Sequence, residues 1–130
     1  MKIATHQDIE RGLCGTPLEL GPDFSRVELC AQQCMVADAS GLVHGGFVFS
    51  LADYAAMIAV NHPNTVLGSA DVRFVKPVRV GDRLVAEACV EQRMEKKILV
   101  RVIVRREDED IFNGLFTCFT PRKHVLANTE

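Results

Sequence analysis

Along most of the chain, apolar and polar residues alternate with a period of two. Leu84, Ala86, Ala88 and Val90 fall on one side of the stretch Arg83 to Arg93. Ile98, Val100, Val102 and Val104 repeat the pattern against Arg101 and Arg105. Within Ile111 to Thr120, Leu115, Thr117 and Phe119 share a side. This period marks half-buried strands. Ser25 to Val36 and Thr65 to Val75 read as two more strands, the second broken by Lys76-Pro77. Gly81-Asp82 is a turn signal. Four consecutive strands with short connections predict an antiparallel meander.

One segment breaks the period. Gly45 to Asn61 holds Leu51, Ala52, Ala55, Ala56, Met57 and Ala59, mostly good helix formers. Asn61 and His62 followed by Pro63 end it. The helix is apolar on nearly every side, so it must be buried all round. Ala37 to His44 carries Asp38, Ser40 and Gly41 and reads as a loop. His6 to Cys14 predicts a short helix, ended by Gly15 and Pro17. Together these predict one α+β domain over residues 1–130, its core about 25–120. Five antiparallel strands wrap one long helix. Such a sheet covers only part of the helix and leaves open edges, which predicts a homodimer, with a tetramer left open.

Composition narrows the function. The chain has 130 residues, 48% hydrophobic and 25% charged, with formal charge −2. A nucleic-acid binder usually shows a clustered basic excess, which is missing here. Five cysteines, Cys14, Cys30, Cys34, Cys89 and Cys118, form no CxxC pair. An odd count without such pairs suits neither a disulfide framework nor a zinc site. They read as buried small hydrophobes in a reducing cytosol, Cys30 and Cys34 sharing one face of a strand. No metal and no cofactor is expected. Met1 to Gly12 is polar and lacks the apolar core of a signal peptide. Phe47 to Val60, interrupted by Ser50 and Asp53, is too short to span a bilayer. A cytoplasmic protein that binds no membrane is expected.

The chemistry gathers at the start of the helix, in Gly41-Leu42-Val43-His44-Gly45-Gly46 and on to Asp53. The first amides of a helix lack internal acceptors and carry the positive end of its dipole. Glycine lets a ligand approach that backbone closely. Such amides can hold a carbonyl oxygen as it becomes an oxyanion. Asp53 follows Gly46 by seven residues, on the same helical face and among apolar neighbours. Burial would raise its pKa and make it a stronger base.

These residues resemble a known family. His44-Gly45-Gly46 followed by Phe49-Ser50-Leu51-Ala52-Asp53 is similar to the signature of phenylacetyl-CoA thioesterase-like members of the hotdog superfamily. Asp71-Val72-Arg73-Phe74-Val75-Lys76-Pro77 and Val80-Gly81-Asp82 resemble that superfamily's second strand and turn. The resemblance covers roughly residues 25 to 120. It implies a dimeric hotdog fold and a fatty-acyl or aryl thioester of coenzyme A as substrate. The Gly45 amide would polarise the thioester carbonyl, and Asp53 would act as base or nucleophile across the subunit interface. His44 would fix the loop that presents Gly45, although an imidazole can also serve as a base.

Further substrate contacts are expected from Gly46, from Met57 beside the acyl tunnel, and from Ser69, the match to a hydroxyl that some members supply. Arg73, Lys76, Arg79 and Arg83 form a basic run suited to the phosphates of coenzyme A. Asp38 stands where the family usually has Asn or Gln, so two carboxylates could face one site. That departure keeps a non-catalytic acyl-CoA sensor as the alternative. Gly68-Ser69-Ala70-Asp71-Val72-Arg73-Phe74 also resembles the ligand-binding domain of a bacterial lipid-synthesis repressor. A hotdog hydratase or dehydratase, using His44 and Asp53, is the third reading.

Overall fold

In the computed structural model, which describes residues 1–127, the elements run α1 (Arg11–Cys14), β1 (Thr16–Gly21), β2 (Phe24–Cys30), α2 (Gly45–Val60), β3 (Val66–Phe74), β4 (Arg83–Met94), β5 (Lys97–Arg106) and β6 (Glu109–Phe119). Short 3-10 turns occur at Gln33–Met35 and Val125–Ala127. The six strands form one antiparallel sheet in the order β1-β2-β4-β5-β6-β3. One long helix clasped by such a sheet is the hotdog arrangement implied by the sequence, with six strands rather than five.

The expected four-strand meander holds only for β4, β5 and β6. The edge of β4 is taken by β2, with Val27 opposite Ala86 and Leu29 opposite Leu84. β3 therefore crosses over and pairs with β6, Val72 opposite Gly114. The predicted first helix shrinks to Arg11–Cys14, and an unforeseen strand, β1, follows it. Pro17 concealed that strand, yet an edge position tolerates a residue with no amide to donate. The strand expected over Ser25 to Val36 stops at Cys30, because Gln32 and Met35 close a 3-10 turn. Cys30 and Cys34 thus share no strand face, and they and Cys89 are exposed. Cys14 is half-buried, and Cys118 is buried as expected.

The core lies between α2 and the sheet. Leu51, Ala52, Ala55, Ala56, Ile58 and Ala59 meet Val27, Ala86, Ala88, Val100, Val102 and Val104, all buried. Alanines on both sides keep the helix close to the strands. The buried Ser25 donates its hydroxyl to the Ala55 carbonyl at 2.6 Å. Ser25→Ala should lower stability by about 1 kcal/mol, measured by thermal unfolding. The helix packs chiefly on β2, β4 and β5 and covers β3 only in part, where Leu67 and Val72 still reach the core. Phe74 there is 55% exposed. No helix among the described residues is long and apolar enough to cross a membrane.

Candidate active site

Two backbone bonds stitch the loop before α2 in place: Val43 N–H to the Val78 carbonyl at 2.8 Å, and His44 N–H to the Met35 carbonyl at 2.9 Å. His44 caps the helix in an extended conformation, with φ −63° and ψ 132°. Gly45 and Gly46 open the first turn. The helix offers no acceptor to these amides, and among the described residues neither meets a loop carbonyl. An aromatic ring crowds each glycine. A Cβ on Gly45 would stand 3.1 Å from Cε2 of Phe74, and one on Gly46 would stand 3.0 Å from the His44 imidazole. Two rings therefore lean on bare backbone, and larger residues would push them off.

Beside Gly45 opens a cavity of about 340 Å³. Val43, Val48, Phe74, Val78 and Ile111 give it apolar walls, with Lys76 and Pro77 contributing to its lining. Lys76 is paired with Glu109 at 3.2 Å. Arg106 holds the neighbouring loop, donating to the Pro77 carbonyl at 2.9 Å, to Asp82 at 2.9 Å and to Glu109 at 2.6 Å. A second hollow of about 220 Å³, lined by Ser40, Leu42, Pro77 and Arg79, shares Pro77 with the first. Arg79 makes no ion pair among the described residues.

Asp53 is the half-buried acid of α2. Its Oδ1 is sealed from solvent and has no hydrogen-bond partner among the described residues. Burial pushes its pKa up to about 6. It lies near two thiols. Burial, and then the Asp53 charge, raises Cys14 and pushes Cys118 up to about 12. Both thiols stay protonated near neutral pH and cannot compete as nucleophiles. Ser50, one turn earlier, works against that rise at Cys14.

Geometry then sets a limit. Eight residues at roughly 1.5 Å each separate Gly45 from Asp53 by about 12 Å along the axis. An aspartate leaning back along the helix cannot close that distance. The amides and the carboxyl of one chain therefore cannot act on the same carbonyl carbon.

A family model described as the thioesterase superfamily matches residues 40–112, from the loop before α2 to the end of the apolar cavity. The chain belongs to the thioesterase superfamily. A methylthioribose-1-phosphate isomerase of Aquifex aeolicus is 47% identical over 120 residues, 92% of this chain but 26% of that protein. A transcription factor FapR of Caldanaerobacter subterraneus is 33% identical over 82 residues, 63% of this chain and 41% of that protein. The chain thus spans less than half the length of these relatives. An uncharacterised protein of Pyrococcus horikoshii has the same fold, with TM-score 0.96 and 49% identity over 97% of both chains.

In this thioesterase-superfamily chain, the residues expected at the site are only partly brought together. Gly45 and Lys76 line one cavity. His44 rests its ring on Gly46 and meets Phe47 edge-on, centroids 6.2 Å apart, which suits a positioning role. Asp38 does not approach Asp53. It is exposed, and the Ser40 hydroxyl and amide hold its carboxyl below the usual range. Burial alone raises Asp53, so the expected conflict of two carboxylates is absent within one chain.

Met57 is fully buried and does not line the cavity. Ser69 pairs with Thr117 and Arg73 with Asn113, whereas Ala70 and Phe74 oppose the buried Phe116 and Phe112. Opposed residues share a face, so Ser69 and Arg73 project away from α2. The alternation of Ser69, Asp71 and Arg73 with Ala70, Val72 and Phe74 carried that signal. Arg83 pairs with Glu28. Phe74 and Arg106 were not foreseen as site residues, because their roles come from tertiary placement.

Proposed function

We propose that the protein hydrolyses an acyl-CoA thioester as a homodimer, with Gly45 of one copy and Asp53 of the other serving one site. The observation that carries this is the half-buried Asp53 carboxyl, one oxygen of it sealed and unpartnered among the described residues, set about 12 Å down the helix from the glycine amides. A buried acid without a partner is costly, and its role follows if a second copy brings it to a bound carbonyl. The partly covered inner side of β3, with Phe74 exposed, suits that second copy.

The acyl group enters the apolar cavity with its carbonyl oxygen toward the Gly45 amide. Asp53 takes a proton from water as the water oxygen attacks the carbonyl carbon. The negative charge gathers on the former carbonyl oxygen, where the amide and the helix dipole stabilise it. When the carbon–sulfur bond breaks, the thiolate takes up the proton, and free acid and coenzyme A leave. Arg79 and Lys76, around the adjoining hollows, suit the phosphates of coenzyme A.

The test is thiol release from a panel of fatty-acyl and aryl coenzyme A thioesters, wild type against Asp53→Ala. Hydrolysis of at least one thioester by the wild type, with loss in the variant, is expected. Turnover of none would overturn the reading. The likeness to a transcription factor supports a second reading, a sensor that binds acyl-CoA without cleaving it. Saturable binding with no thiol release would mark that outcome.

A further inference from the structure

At the opposite end of α2 residues 2–4 and 121–122 are fastened by two asparagines. Asn61 caps the helix in the left-handed region with φ 54°. Its side-chain amide grips the N-terminal segment, accepting from Ala4 N–H at 2.7 Å and donating to the Lys2 carbonyl at 2.8 Å. Asn64 grips the C-terminal segment, donating to the Pro121 carbonyl at 3.0 Å and the Arg122 carbonyl at 2.9 Å. Between the two clamps lies a cavity of about 250 Å³, lined by Thr5, His6, Pro63, Thr65, Val66 and His124.

Among the described residues, the wall of this cavity carries two imidazoles and two hydroxyls and no carboxylate. The Leu126 amide donates to Nδ1 of His124 at 2.9 Å. A neutral imidazole with an accepting Nδ1 carries its proton on Nε2, so His124 keeps a free donor. Nδ1 of His6 is engaged by the buried Thr5 hydroxyl at 2.8 Å, which leaves its Nε2 free. His6 is held there at φ 52°, a conformation that non-glycine residues seldom adopt. Thr65 is 3% exposed, and its hydroxyl has no partner among the described residues. An unmet buried hydroxyl is costly. Lys2, Arg122 and Lys123, beside the clamped carbonyls, form no ion pair among the described residues.

We infer that this pocket binds a small oxyanion, a phosphate or carboxylate group held by His6, His124 and Thr65. The Nε2–H of His124, the Thr65 hydroxyl, the flanking basic residues and, in the tautomer whose Nδ1 accepts from Thr5, the Nε2–H of His6 offer donors to such a group, and no acid among the described residues of the wall repels it. A divalent cation fits worse, since it needs the Nε2 lone pair that the Leu126 bond protonates in His124. This pocket shares no lining residue with the cavity beside Gly45.

The experiment follows the ring Cε1–H resonances of the four histidines in the full chain by NMR. Inorganic phosphate and, separately, acetate are titrated at constant ionic strength, with chloride as control. His6 and His124 should move together and saturate at one common concentration, while His44, at the other end of α2, stays still. Thr65→Val, which keeps the shape, and His124→Ala should each raise that concentration about five- to tenfold. Saturation by phosphate alone assigns a phosphate group, by acetate alone a carboxylate, and by both a general oxyanion. Equal shifts in chloride, or unsaturable drift of all four rings together, would overturn the inference.

Discussion

Thiol release by the Asp53→Asn variant should fall by about two to four powers of ten, the usual worth of a positioned general base. The same variant should be more stable than the wild type at pH 8. Both effects have one cause. Burial raises the carboxyl from 3.8 to about 6, so ionised Asp53 costs the folded state free energy. Below pH 3.8 the acid is protonated in both states and no penalty applies. Between 3.8 and about 6 the unfolded chain ionises first, so the stability the proton confers is lost as pH rises. Above about 6 both states are ionised and the penalty stays constant, at most about 3 kcal/mol. Asparagine escapes it. Its gain in melting temperature should thus be absent at pH 3.5, grow through pH 6 and level off. The wild-type rate should climb over the upper part of that range, because only the ionised carboxylate accepts a proton from water. A variant that loses stability at pH 8 would show that Asp53 is structural.

Gly45→Pro should lower the turnover number by about two to three powers of ten while leaving the fold intact, since one oxyanion donor is worth that much. Proline suits the helix backbone at this position. It is favoured at the first residue of a helix, where no internal bond is lost. It also requires an extended residue before it, and His44 already has φ −63° and ψ 132°. The new ring meets Phe74, which is 55% exposed and can yield. The substitution deletes the amide proton proposed to bind the oxyanion and also displaces the Phe74 ring in the cavity wall, so KM should rise beside the fall in turnover. Circular dichroism should show an unchanged helix content beside the lost activity. Unchanged turnover would place the oxyanion elsewhere.

The elements that mattered most for this site were legible in the sequence because they rest on local rules. The all-apolar stretch from Gly45 declared a buried helix, and Asp53 stood out as the one acid within it. The period of two found β4, β5 and β6 almost to their ends. Sheet order was hidden, since pairing of β2 with β4 and of β3 with β6 is a choice between distant segments. The same choice sends Ser69 and Arg73 to the outer face. β1 was missed because Gly15 and Pro17 end helices and also border edge strands. Asp38 looked close to Asp53 by family position, yet its loop spends that carboxylate on Ser40.

In the proposed dimer an amide from one chain and an acid from the other meet at one thioester. The most direct measurement coexpresses Gly45→Pro and Asp53→Asn chains bearing different tags and purifies the mixed dimer on both. Neither variant alone should release thiol well. The mixed dimer holds one intact pair of Gly45 and Asp53 and should recover about half the wild-type turnover. A mixed dimer as inactive as its parents would contradict the shared site.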